Sequence, residues 1–223
     1  MNVARHVFPE FKRYSRGELW ADGVVHVLGV VGALVAVPVL VTLAAVWHGA
    51  SPVVAAAAVY GVSMVAMFAV SASYHLVPFP RAKTVLRRLD HGTIFVKIAG
   101  TWTPFAVLLG GEAATGILTA IWSAALAGLA LVATVPRGFK WLSLGLYLAM
   151  GWGAVAFGMP LVAAMSEVGV ALVVTGGVLY TVGVAFHLWD RLPFQNAIWH
   201  AHVLAASFVF YAAVMIEVGA KAP

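Results

Sequence analysis

Apolar stretches long enough to cross a bilayer as helices follow one another along almost the whole of this 223-residue chain. A helix of about 20 residues spans the roughly 30 Å of bilayer hydrocarbon. Apolar residues make up 63% of the sequence and charged residues 9%, against about 25% charged in soluble domains. The predicted spans are 23–47, 52–76, 91–110, 114–134, 141–164, 168–188 and 197–219. We therefore predict an all-α fold, a seven-helix transmembrane bundle.

Basic residues fall on one side of this predicted bundle. With seven spans, the N-terminal segment and the second, fourth and sixth connections share one face. Of the 13 Lys and Arg residues, that face carries Arg5, Lys12, Arg13, Arg16, Arg81, Lys83, Arg87, Arg88, Arg137, Lys140 and Arg191. Lys221 lies on the opposite face and Lys97 inside the third span. Because positive charge stays in the cytosol, we predict a cytosolic N-terminus and an outside C-terminus in the plasma (inner) membrane.

The same pattern indicates the domain organisation and the partners. Residues 1–22 are predicted to be a cytosolic segment and residues 23–219 a single transmembrane domain, since the connections are short. The first apolar stretch is too long for a signal-peptide core of roughly 7–15 residues. The net charge of +5 flanks apolar spans, so the expected partners are the lipid bilayer and its anionic headgroups, and no nucleic acid.

Ionisable side chains inside a membrane are costly, and they concentrate here at one depth. The predicted cytosolic helix ends carry His26, His75, Asp90, His91, His200 and His202. With no cysteine in the chain, a metal would need His, carboxylate or amide ligands. Neutral imidazoles beside a carboxylate are typical of a divalent metal site such as zinc. The alternative is that these histidines only cap helices or face headgroups.

For two further sets of polar residues, the sequence allows more than one role. Glu18, Asp22 and His26 are four residues apart and share a helix face, where they either support a site at the cytosolic mouth or form a solvated first turn. Lys97 lies seven residues after Asp90, about 10 Å along the helix. Its ammonium is expected to snorkel, to pair with an acid of the first helix, or to belong to a proton path.

Several short motifs resemble the hemolysin III family, which belongs with the progestin and adipoQ receptors, adiponectin receptors included. The matching segments are Ser71-Ala72-Ser73-Tyr74-His75, Leu89-Asp90-His91, Ala99-Gly100-Thr101-Trp102-Thr103-Pro104-Phe105, Gly176-Gly177-Val178-Leu179-Tyr180 and Ala197-Ile198-Trp199-His200. Glu18, Asp22 and His26 echo the first-helix pattern, which usually has Asn where Asp22 stands. The resemblance extends over nearly the whole chain.

This resemblance implies a seven-helix receptor-like bundle with zinc near the cytosolic face, held by three histidines and an aspartate-bound water. By motif position, His75 and His200 would be zinc ligands and Asp90 the water partner. Ser71 would support the site from one turn before His75.

One departure from the family pattern bears on the metal. The last-helix motif of the family is His-x3-His, and this chain has Asn196 in place of the first histidine. An amide oxygen is a weaker zinc donor than imidazole, so the affinity should fall unless another ligand takes part. His202 is turned about 200° from His200 on a helix, whereas His187 or His26 could approach instead. Phe210 replaces a further family histidine.

Three functions remain open from the sequence. The first is a metal-dependent hydrolase of lipid amides or esters, with Asp90 as general base, by analogy with ceramidase activity in related receptors. The second is a sensor or receptor for membrane state or ligand, in which a metal or polar cluster is structural. The third, membrane permeabilisation, is suggested only by the hemolysin label.

Overall fold

The chain folds entirely into helices over the ranges that a computed structural model describes, residues 14–78, 80–134, 140–156 and 158–222. The elements are α1 Arg16–His48, α2 Pro52–Leu76, α3 Pro80–Leu109, α4 Gly111–Thr134, α5 Lys140–Ala156, α6 Met159–Ala164, α7 Glu167–Leu188 and α8 Gln195–Ala220. The all-α prediction is confirmed for these ranges. Four of the basic residues used to predict the topology lie outside the described ranges: Arg5, Lys12, Arg13 and Arg137.

Six of the described helices are long and apolar enough to cross a membrane: α1, α2, α3 from Arg81, α4, α7 and α8. The predicted fifth span, 141–164, instead consists of two shorter helices, α5 and α6. Gly158 caps α6, and a proline stands in its first turn. Pro160 has no backbone N–H to donate to a carbonyl of α5, so α5 cannot continue and a new helix begins here. A seven-span count and the orientation of the termini therefore remain predictions.

The first and third helices begin earlier than hydropathy predicts. At the start of α1, Ser15 Oγ accepts from the Glu18 amide at 3.2 Å, and Glu18 Oε2 accepts from the Ser15 amide at 2.7 Å. This reciprocal capping box satisfies amide groups that have no partner within the helix. The first helix thus begins at Arg16 and includes Asp22.

Helix α1 packs against both α2 and α8, and α2 packs against α3. Close approach of α1 and α2 depends on Gly29, since a Cβ there would lie 2.7 Å from Cδ1 of Phe68. Small residues serve this purpose in membranes, where lipid offers no hydrophobic drive for helix association. The packing brings the N-terminal end of α1, the C-terminal end of α2 and the N-terminal end of α8 together.

Lys97 is buried in this bundle, with 3% of its surface exposed. Its ammonium donates to Thr101 Oγ1 at 2.8 Å and lies 4.4 Å from the centre of the Tyr60 ring. The side chain therefore neither snorkels to the surface nor pairs with an acid of the first helix. A hydroxyl and an aromatic face partner its charge instead.

Candidate metal centre

Four side chains converge where α1, α2 and α8 meet. They are Asp22 and His26 of α1, His75 of α2 and His200 of α8, and each offers one ligand atom within 4.8 Å of the others. Asp22, His26 and His200 are buried, and the His75 side chain is 15% exposed. Residues 178 positions apart in the chain thus share one small volume.

Helical periodicity accounts for the α1 half of this cluster. Residues four apart lie on one helix face, so Asp22 and His26 both point into the bundle. Trp20, Val24 and Val27, on the other faces of the same turns, are exposed at the apolar surface. His75 stands in the last turn of α2 and His200 near the start of α8, which places both at the depth of Asp22.

The Asp22 carboxylate is the hub of the cluster. Its Oδ1 lies 2.6 Å from Nδ1 of His200, and its Oδ2 lies 3.3 Å from Nδ1 of His75. Oδ1 is also 3.7 Å from Nδ1 of His26. One buried carboxylate therefore faces three imidazoles, and it is the only acid in the described cluster.

His26 is held in a defined orientation and tautomer. Its Nδ1 lies 2.8 Å from the backbone carbonyl oxygen of Asp22, so Nδ1 carries the hydrogen and donates it. The lone pair is then left on Nε2, which is 3.4 Å from the Ser71 hydroxyl. Metal-binding histidines characteristically donate one ring N–H to a carbonyl and present the other nitrogen to the ion.

The three rings are packed tightly around this point. Their centres are 4.9 Å apart for His26 and His75, 4.3 Å for His26 and His200, and 4.5 Å for His75 and His200. More than one imidazolium at such spacing would be repulsive, whereas neutral rings can share a cation. Three imidazole nitrogens and a carboxylate oxygen form a donor set that suits a divalent metal.

The residues predicted from sequence are placed as follows. His75 and His200 lie in the cluster, and Ser71 lies beside His26. Asn196 borders it, with its amide nitrogen 3.5 Å from Nδ1 of His75. Asp90 is half-buried on α3 and is not one of the four converging residues, so its role through water remains a prediction.

Two histidines left open by the sequence are now located. His202 donates Nδ1–H to the Ile198 carbonyl at 2.8 Å and packs on Phe186, with ring centres 5.0 Å apart. His187 packs on Trp199 at 5.1 Å. Neither belongs to the described cluster, and His26 is the additional histidine that approaches His75 and His200.

Sequence reasoning missed the central position of Asp22. Its four-residue spacing from Glu18 and His26 left two interpretations open, support for a site at the cytosolic mouth or a solvated first turn, and the resemblance added only its place in the first-helix pattern. Glu18 does not join the cluster: its Oε1 accepts from the Phe194 amide at 3.0 Å, which ties α1 to the connection before α8.

Just outside the first span, burial and then the charge of Asp22 raise the pKa of Tyr14, which keeps this phenol neutral.

An apolar groove of about 420 Å³ runs along the outer surface beside the cluster. Its walls are the face of α1 from Leu19 to Leu28, together with Leu76 of α2. Gly23 and Leu76 in this wall are chain neighbours of Asp22 and His75. The groove thus places a surface for hydrocarbon next to the polar site.

The apolar helices and the buried group of one aspartate and three histidines define a multi-pass membrane protein with a site able to hold a metal. The family model described as Haemolysin-III related matches residues 18–211, which include all four converging side chains. The chain belongs to this family. The predicted resemblance is confirmed.

Relatives extend from bacteria to mammals. The chain is 36% identical over 198 residues to the hemolysin-3 homolog of Bacillus subtilis, covering 87% of this chain and 92% of the relative. It is 36% identical over 191 residues to hemolysin-3 of Bacillus cereus, covering 84% and 87%. It is 31% identical over 166 residues to human monocyte to macrophage differentiation factor, covering 70% and 67%. The human relative supports membership of the progestin and adipoQ receptor superfamily.

Proposed function

We propose that this protein is a zinc-dependent membrane hydrolase of lipid amides or esters, with its site where α1, α2 and α8 meet. The observation that carries the proposal is the convergence of four ligand atoms within 4.8 Å of one another. A buried group of ionisable residues at membrane depth calls for a function or a strong partner. A divalent cation supplies such a partner.

His26, His75 and His200 would hold the ion through ring nitrogens. Three protein ligands and one water form the open arrangement of catalytic zinc sites. Bound zinc supplies Lewis acidity, which polarises a carbonyl and makes its water a nucleophile near neutral pH. His26 is the third imidazole of the cluster, and Nε2 is left as its metal donor because its Nδ1–H is donated to the Asp22 carbonyl.

The apolar groove supports a lipid substrate, since it offers a surface for an acyl chain and its wall includes Gly23 and Leu76, the chain neighbours of Asp22 and His75. In the reaction, water adds its oxygen to the acyl carbon and a proton to the departing nitrogen or oxygen. A fatty acid and an amine or alcohol result. We assign Asp90 as the base that takes the proton from water, and Ser71 as a residue that supports the site from beside Nε2 of His26.

Metal analysis tests the first half of the proposal. Purified protein in detergent should contain about one zinc per chain, and the double variant His75→Ala, His200→Ala should contain almost none. His202→Ala is the matched control, because His202 lies on the same helix outside the cluster. Equal zinc in the wild type and the double variant would refute the metal centre.

Turnover tests the second half. Release of fatty acid from a ceramide-like substrate should be measurable for the wild type and lost in Asp90→Asn with zinc still bound. Activity that persists in Asp90→Asn would refute the assigned base. Zinc binding without turnover of amide or ester substrates would refute the hydrolase.

One observation favours a second candidate, a membrane-state sensor or receptor with a structural metal. Asp22 brings the number of clustered donors to four, and four protein ligands fill a tetrahedral zinc site. A site closed in this way binds zinc without activating water. Membrane permeabilisation rests on the names of relatives alone.

A further inference from the structure

We infer that Asp22 supplies the metal donor that position 196 lacks, so that the two positions form a compensating pair in this chain. The inference rests on the metal centre that both candidate functions share. With Asp22 as a fourth protein ligand, it favours the structural-metal candidate over the hydrolase. It assigns Asp22 as a direct anionic ligand and Asn196 as a neighbour that does not bind the ion.

The first argument is that both side chains reach the same atom. Asp22 Oδ2 lies 3.3 Å from Nδ1 of His75, and Asn196 Nδ2 lies 3.5 Å from it. They approach from different helices, α1 and α8. A donor at either position therefore borders the same point between His75 and His200.

The second argument concerns the helix face of α8. Asn196 and His200 are four residues apart and share one face, so a larger side chain at position 196 would also point at the cluster. The Asn196 amide offers at most a neutral oxygen, which is a weaker zinc donor than an imidazole. The carboxylate of Asp22, by contrast, has free lone pairs on both oxygens beyond those facing the rings.

The third argument is charge. The ion-pair partners of Asp22 among the described residues are His26, His75 and His200. A buried carboxylate without a permanent cation needs either a proton shared with an imidazole or a bound metal.

A rival role for Asp22 is to orient His200 without touching the ion, through the 2.6 Å contact with its Nδ1. The two roles differ in what a histidine at position 196 can repair. A lost ligand can be replaced by another donor at the same point. A hydrogen-bond partner that His200 has lost cannot be replaced by a histidine at position 196.

The experiment compares wild type, Asp22→Asn, Asn196→His and the double variant Asp22→Asn, Asn196→His as full chains in detergent. Zinc affinity is measured by competition with a chelator, and visible absorption is recorded after loading with Co²⁺. Glu112→Gln, which removes an exposed carboxylate at the start of α4, is the control for the change in charge. Circular dichroism and elution volume monitor folding.

We expect Asp22→Asn to weaken zinc binding by more than about 100-fold, beyond the roughly 10–100-fold that loss of an outer hydrogen bond costs. The double variant should regain most of the affinity, and its Co²⁺ spectrum should differ from that of the wild type. Glu112→Gln should bind as the wild type does. Asn196→His alone should change the Co²⁺ spectrum, which keeps the inference testable even if Asp22→Asn does not fold.

Unchanged affinity in Asp22→Asn would overturn the inference while leaving the proposed metal centre intact. So would a loss that the double variant fails to repair, since Asp22 would then act only by orienting His200. An unchanged Co²⁺ spectrum in Asn196→His would exclude position 196 from the metal. A wild type that binds neither zinc nor Co²⁺ would overturn both proposals together.

Discussion

At the scale of single residues, the direction in which a ring faces, and not its hydrogen bond, separates the histidines of the metal centre from the others. His26 and His202 both donate Nδ1–H to a carbonyl oxygen one turn earlier, at 2.8 Å in each case. Only His26 then presents Nε2 to the cluster, near Ser71. The same local geometry therefore has different consequences, because only one of the two rings faces the point where three helices meet.

This difference leads to a prediction for zinc affinity. His26→Gln should weaken zinc binding strongly. Ser71→Ala should weaken it much less, because the Ser71 hydroxyl lies beside Nε2 of His26 and gives up that contact when the nitrogen binds the ion. His202→Gln should leave the affinity unchanged. Competition with a chelator measures all three. An equal loss in His202→Gln and His26→Gln would contradict the assignment.

Lys97 provides a second residue-scale prediction. A buried ammonium partnered by one hydroxyl and one ring carries a desolvation cost that a methionine of similar length does not. Lys97→Met should raise the free energy of unfolding by about 1–3 kcal/mol. Thermal unfolding in detergent should then occur several degrees higher, with exposed Lys221→Met as the control. A lower melting temperature would show that the Lys97 contacts are net stabilising.

At the scale of elements, the site depends on how closely α1 approaches its neighbours. Helix α1 carries two of the four converging side chains, while α2 and α8 carry one each. The glycines at the contacts set the distances between these helices. At Gly32, a Cβ would lie 2.6 Å from the Phe208 ring of α8, so a methyl group there would separate α1 from α8.

Helix separation should therefore reduce zinc affinity without a change in any ligand. At Gly29, a methyl group would lie 2.7 Å from Phe68 and push α1 away from α2. Gly29→Ala should lower both the melting temperature and the zinc affinity, since Asp22 and His26 move relative to His75. Gly116→Ala is the matched control, because its added methyl group would meet no atom within 4 Å. Similar losses in both variants would refute a role for this contact.

At the scale of the whole molecule, the number of membrane crossings depends on whether α5 and α6 together cross the bilayer. Six of the described helices meet the requirements of a membrane span, and the interrupted pair α5 and α6 corresponds to the predicted fifth span, which would bring the number to seven. The number of crossings decides the side of the C-terminus. The asymmetry of basic residues, which predicts that the metal centre lies at the cytosolic face, also depends on this number, because it was derived for seven crossings.

Reporter fusions test this topology. If α5 and α6 together cross once, alkaline phosphatase fused after residue 223 should be active in a bacterial host, and a green fluorescent protein fused there should be dark. The same reporters fused after residue 137 should give the opposite pattern. A fluorescent C-terminal fusion would mean an even number of crossings and would contradict the seven-span prediction.

The positions of the long helices were predictable from the sequence, because spanning a bilayer is a local requirement for about 20 apolar residues. Helix starts were less predictable: the first turns of α1 and α3 are polar, and hydropathy does not detect them. The break at Gly158 was missed for the opposite reason, since the residues around it remain apolar. The family was also readable, because its motifs are short contiguous segments.

The sequence by itself determined the membrane-spanning helices and two of the clustered residues, His75 and His200, because both are properties of contiguous segments. Only the tertiary structure decided that Asp22 is the hub, that His26 completes the three imidazoles and that Asp90 lies outside the four. Those facts depend on which faces α1, α2 and α8 turn toward one another. Side-chain packing between helices decides those faces, and no single segment encodes it.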